Sequence, residues 1–106
     1  MKVRLFDSKI EAFVASLEKG TIAKVLRTID LLELFGNQLA LPHSKKVAPR
    51  LFELRVRGIQ AVRIFYMFYK EEAVLLHGFI TKTGRIPSRE VKTALQKLAS
   101  FDKYNV

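Results

Sequence analysis

The sequence predicts an α+β domain, with an N-terminal strand and a helical hairpin packed on an antiparallel meander and a C-terminal helix closing the fold. Three observations carry this. Between Leu51 and Thr83 lie LFELRVR, AVRIFYMFY and AVLLHGFITKT, runs rich in Val, Ile, Leu, Phe and Tyr, separated by GIQ and KEE. Breaks that short leave no room for a helix, so the three runs form an antiparallel meander. Ahead of them, two stretches carry apolar residues at helical spacing, and after them comes a third.

In chain order, Met1 to Phe6 alternates Val3 and Leu5 against Lys2, Arg4 and Phe6, a short strand expected at an edge of the meander. Ser8 and Glu11 have the spacing of a capping box, Ile10, Phe13, Val14 and Leu17 supply one helical face, and Gly20 supplies a stop. Thr21 suits the cap of a second helix with a stripe of Ile22, Val25, Leu26, Ile29 and Leu32, widened by Leu31, Leu34 and Phe35, all assigned to the core. Gly36-Asn37 ends it. Residues 37–50, NQLALPHSKKVAPR, show no periodicity and are expected to form a long loop delivering His43, Lys45, Lys46 and Arg50 to the meander. Such a loop is either functional or a solvated linker. Pro87 and Ser88 both suit the start of the last helix, whose stripe is Val91, Ala94, Leu95, Leu98 and Phe101, and Asp102 to Val106 is expected to be a loose tail.

Period-two alternation sorts the meander by face. In the first run Phe52, Leu54 and Val56 oppose Glu53, Arg55 and Arg57, so that strand is expected to be half-buried. In the second run both faces are apolar except at Arg63, which marks a central strand covered on both sides. If the apolar faces align, Arg63 projects beside Glu53, Arg55 and Arg57. A charge in that position is paired or used. One reading is a cross-strand Arg63–Glu53 pair; the other is a basic, concave site for a polyanion.

The chain has 106 residues, 49% of them apolar, enough for one core and one domain over 1–106. It lacks cysteine and has two distant histidines, which argues against disulfides, thiol nucleophiles and a metal cofactor. No apolar run approaches a membrane span, and KVRLF is too short for a signal sequence, so a cytoplasmic protein with no membrane partner is expected. The net charge is +9, and residues 37–106 hold thirteen basic and five acidic residues of it, net +8. A surplus confined to the sheet half favours an anionic partner, nucleic acid first and an acidic protein segment second.

There is no phosphate-binding glycine loop, paired catalytic carboxylates or serine–histidine–acid set. What the sequence offers is fixed cations: Lys45, Lys46, Arg55, Arg57, Arg63, Lys82 and Arg85. Such a set suits RNA cleavage without a cofactor, because RNA carries its own nucleophile in the 2′-hydroxyl. The protein then has to align it, neutralise charge on the phosphate and protonate the leaving oxygen. His43, on the loop, is the more accessible proton carrier; His77, beside Gly78 in an apolar strand, is read as a core histidine. Tyr66 and Tyr69 are read as core.

The order of strand, helix hairpin, LPHSKKV, LFELRV, VRIFYMFY, VLLHGFITKT and IPSREVKTAL resembles the RelE/ParE toxin superfamily, in particular its HigB-like branch, which includes phage-derived Gp49-like proteins. Its most specific parts are the Glu-Leu-Arg of 53–55, the Arg-Ile-Phe-Tyr of 63–66, and Phe79 followed by Lys82 and Pro87. The resemblance implies the RelE-like fold and the toxin of a type II toxin–antitoxin pair, a ribosome-dependent mRNA endonuclease. It also implies a helix-turn-helix antitoxin as partner, with operator DNA reached only through that antitoxin. Arg55 and Arg63 fall where RelE-like enzymes keep strand basic residues at the scissile phosphate, Lys82 and Arg85 fall in their basic turn, and Lys45 and Lys46 match the basic loop loosely. RelE proper has a lysine where Glu53 stands and a tyrosine where Lys92 stands, which leaves the general base open. ParE-like relatives share the fold and poison gyrase, so a non-enzymatic topoisomerase inhibitor and a plain RNA-binding domain are the competing expectations.

Overall fold

The computed structural model describes residues 1–82 and 84–105. Thr83 and Val106, at the end of the meander and of the expected tail, lie outside the described residues. The order is β1 (Lys2–Leu5), α1 (Ser8–Ala15), α2 (Lys19–Phe35), a single 3₁₀ turn (Gly36–Gln38), β2 (Ser44–Ala48), β3 (Leu51–Val56), β4 (Val62–Tyr69), β5 (Glu72–Ile80) and α3 (Ser88–Tyr104). The strands form one five-stranded sheet in the order β1-β5-β4-β3-β2. β1 runs parallel to β5, and every other pair is antiparallel.

β4 is the central strand, as its two apolar faces require. On one side Leu54, Val56, Val62, Ile64 and Tyr66 pack against Ile10, Val25 and Leu32 of α1 and α2. On the other Leu51, Phe65, Met67, Val74 and Leu76 pack against Ala94 and Phe101 of α3. The register Phe52–Tyr66, Leu54–Ile64 and Val56–Val62 aligns the apolar faces and sets Arg55 opposite Arg63. In β5, Phe65 pairs with His77 but Tyr66 pairs with Leu75, so Leu76 is an extra residue. This bulge inverts the alternation beyond it. His77 and Phe79 thereby turn to the α3 side, and Gly78 turns beneath Phe13 of α1.

Several expectations are corrected. Residues 37–50 are not all loop: Ser44–Ala48 is an edge strand, register-paired with β3. Its Lys45 and Lys46 are exposed charges of the kind that guard sheet edges, which is why its pattern does not look like a strand. Asp7, not Ser8, caps α1, its Oδ1 accepting from the backbone N–H of Lys9 (3.1 Å) and Ile10 (3.2 Å). Gly20 stops nothing; it lies in the first turn of α2, where Thr21 is buried rather than capping. β3 is not half-buried: Leu51 on its second face packs against α3, and Glu53 on that face is only 3% exposed. Leu26, Leu34 and Phe35 of α2 and Leu95 of α3 are exposed, not core. The tail is helix to Tyr104, and Tyr69 Oη donates to the Asn105 carbonyl at 2.7 Å. Among the described residues, no helix is long and apolar enough to cross a membrane.

Candidate functional site: an arginine pair on a buried carboxylate

Glu53 on β3 is the hub. Its Oε1 lies 3.6 Å from Nε of Arg55, two residues along the same strand face, and 3.7 Å from Nη1 of Arg63 on β4. The strand register fixes this: Glu53 pairs with Phe65 and Arg55 with Arg63, so the cross-strand diagonal brings Arg63 to Glu53. Arg63 is 8% exposed. Burial pulls its guanidinium pKa below the ordinary arginine value; Glu53 opposes that shift, and Arg55 and Arg57 add to it.

This cluster differs from a self-contained ion pair in two respects. Two guanidinium groups share one carboxylate, leaving a net positive charge beneath the surface. Moreover, Arg63 Nη1, Arg55 Nε and Glu53 Oε2 are buried without a hydrogen-bond partner among the described residues. A buried pair held for stability alone uses its donors. Here both donors face Glu53 Oε1 at ion-pair distance without a hydrogen bond, and arginine forks of this kind match the oxygens of a phosphate.

The remaining predicted residues lie in several places around the sheet. Lys45 stands opposite Glu53, and the Arg55 N–H donates to the His43 carbonyl at 2.9 Å, so the exposed His43 sits at the edge beside Arg55. His43, Arg55 and Arg57 line one cleft between β3 and α2. Lys46 stands opposite Phe52, on the α2 side of the sheet, and so is not aligned with the arginine face. Lys82 and Arg85 lie exposed in the turn between β5 and α3, just beyond Phe79, which pairs with Arg63. His77 is half-buried rather than core, its Nε2 3.3 Å from Glu90 Oε2 on α3. Tyr66 is core, 1% exposed, and its hydroxyl hydrogen-bonds Ser44 Oγ at 2.5 Å. Burial raises the Tyr66 pKa, and the Ser44 bond offsets this only in part.

Sequence reasoning missed Lys24 and Arg27 of α2, which line the same cleft as His43, Arg55 and Arg57. They sit three apart on α2, outside its apolar stripe, and that spacing was the available signal. Among the described residues no three His, Asp or Glu side chains are grouped to hold a metal ion.

A small α+β fold in which two strand arginines share one buried carboxylate defines a basic protein of the RelE-like architectural class. Comparison with protein families gives the particular group: the family described as Phage derived protein Gp49-like (DUF891) matches residues 12–99, and the chain belongs to that family. It is a toxin-like family related to the RelE and HigB type, consistent with the toxin of a toxin–antitoxin system and with an antitoxin as partner. A search of curated proteins gave no match.

Proposed function

We propose that this protein is the toxin of a type II pair and that it cleaves mRNA on the ribosome. In the reaction, the 2′-oxygen attacks the adjacent phosphorus, the P–O5′ bond breaks, and the products are a 2′,3′-cyclic phosphate and a 5′-hydroxyl. The 2′-hydroxyl gives up its proton to a base, and the leaving 5′-oxygen receives one. The observation that carries this reading is the Glu53–Arg55–Arg63 cluster, in which two guanidinium groups share one buried carboxylate and leave surplus positive charge. Arg63 and Arg55 neutralise the phosphorane oxygens while Glu53 positions both of them. His43, exposed beside Arg55, moves the proton. Lys82 adds charge from the turn, and Lys45, Arg57, Lys46 and Arg85 hold flanking RNA.

Expression in a bacterium should arrest growth, relieved by the antitoxin encoded beside it. Primer extension on the cellular mRNA should then show in-frame cuts. Intact mRNA with broken DNA would instead make the protein a ParE-like topoisomerase poison. Unimpaired growth at high levels of folded protein would overturn both toxin readings.

A further inference from the structure

We propose that the cleft between α2 and the β2–β3 edge is a second phosphate subsite, in which Lys24 and Arg27 hold the RNA backbone next to the phosphodiester at Arg63. The proposal rests on the RNA-cleaving reading above and adds α2 to the surface that meets the substrate. The cleft has a volume of about 280 Å³, and four cations, Lys24, Arg27, Arg55 and Arg57, line it together with His43. No Asp or Glu is among its lining residues. Glu53, 3.6 Å from Arg55, offsets one of these charges, and an entering polyanion relieves the repulsion among the others. Volume also limits the occupant, because this cleft is at the small end of ligand sites, roughly 300 Å³ and upward. It suits a single nucleotide unit.

Two features favour nucleic acid over an acidic protein segment. Arg55 lines this cleft and also pairs with Glu53, which with Arg63 lies on the opposite, α3 side of the sheet, so the two anion positions are continuous around the end of β3. A repeating phosphate chain fits that continuity, and Leu31 and Val56 give the cleft an apolar wall for a ribose or base. Lys24 is also ordered in advance. Its Nζ donates to the Arg57 carbonyl at 3.2 Å, and a Cβ at Gly58 would come within 3.0 Å of that nitrogen, so glycine leaves the room in which the ammonium sits. Glu18 N–H donates to Gln60 Oε1 at 2.9 Å, which ties the start of α2 to the β3–β4 turn.

The test is fluorescence anisotropy with a short labelled single-stranded RNA over a KCl series, using the whole protein and no ribosome. Each phosphate contact on a single strand contributes about 0.7 to the salt slope. Lys24→Gln/Arg27→Gln should therefore lower the slope by about 1.4 and weaken binding roughly 20-fold at about 0.1 M salt. Arg27→Gln alone, at an exposed helix position, should produce about half the slope change. A Lys2→Gln/Lys19→Gln control removes the same charge away from the cleft and should leave the slope nearly intact. If the wild type binds but the cleft variant keeps its slope, or the control loses as much, the subsite is wrong while the RNA-cleaving reading stands. If the wild type binds no RNA at any salt, the subsite is wrong, while the ribosome-dependent reading is decided by cleavage of mRNA on the ribosome. If a glutamate-rich peptide in place of RNA shows the same Lys24 and Arg27 dependence, the cleft belongs to an acidic protein segment and the proposal is overturned.

Discussion

Glu53 has two cationic neighbours, and this makes the effects of removing each member unequal. Glu53→Ala strands two guanidinium groups around a buried void, and breaking a buried ion cluster in this way costs about 3–5 kcal/mol. Arg63→Ala leaves Glu53 paired one-to-one with Arg55, so it should cost well under that. Thermal melts of the two variants should separate clearly; equal losses would mean Arg63 exists to pair Glu53. Tyr66 poses a second question at this scale. Its pKa is raised above the ordinary 10.0, so the folded state holds the phenol proton after the unfolded chain has released it. That contribution is complete below pH 10 and declines as pH rises through the folded value. Tyr66→Phe should flatten the alkaline limb of the stability curve and cost about 1–3 kcal/mol at neutral pH, because Ser44 Oγ is left buried without its partner. Adding Ser44→Ala should recover part of the loss. An unchanged alkaline limb would contradict the assignment. The arginine face itself was legible, since alternation in LFELRVR and in VRIFYMFY places Glu53, Arg55 and Arg63 together. Glu53's burial was not, because it depends on cover that a single strand's pattern does not show.

At the scale of elements, the bulge in β5 governs how α1 docks. It turns Gly78 beneath Phe13, where a Cβ would lie 2.7 Å from Cδ2 and Cε2 of the ring. Gly78→Ala should therefore destabilise by about 1–3 kcal/mol in a urea melt, and Phe13→Leu should restore part of this. No loss on Gly78→Ala would show that α1 is not seated as described. α3 is held from the other side by Arg50, which donates to Asp102 at 2.7 and 3.1 Å. That hydrogen bond lowers the Asp102 pKa below its ordinary 3.8, so its contribution is present above that pH and is lost as pH falls through the lower folded value. The pair is exposed, so Asp102→Asn should bring a small, salt-screened loss that disappears in acid. Strands with strong apolar alternation were readable; β2 was not, because an edge strand defends itself with lysines and loses its pattern. Helix boundaries failed at Ser8 and Gly20 for a related reason. Asp7 offered a better cap than Ser8, and a glycine in a first turn can be carried by packing on either side.

Across the whole molecule, part of the charge surplus on residues 37–106, Arg55 and Arg57, shares a cleft with Lys24 and Arg27 of α2, a helix from the nearly neutral half of the chain. The sequence showed the charge asymmetry but not that contribution, since only the tertiary fold sets α2 beside β3. The central claim is that this surface performs chemistry on RNA and that Arg63 is its principal charge. Single-turnover cleavage of ribosome-bound mRNA by wild type and Arg63→Ala, each shown to be folded and ribosome-bound, tests it most directly. Loss of a preorganised guanidinium should cost about 3 kcal/mol of transition-state stabilisation, roughly a hundredfold in rate, with ribosome affinity nearly unchanged. A folded Arg63→Ala that cuts at the wild-type rate would contradict the account.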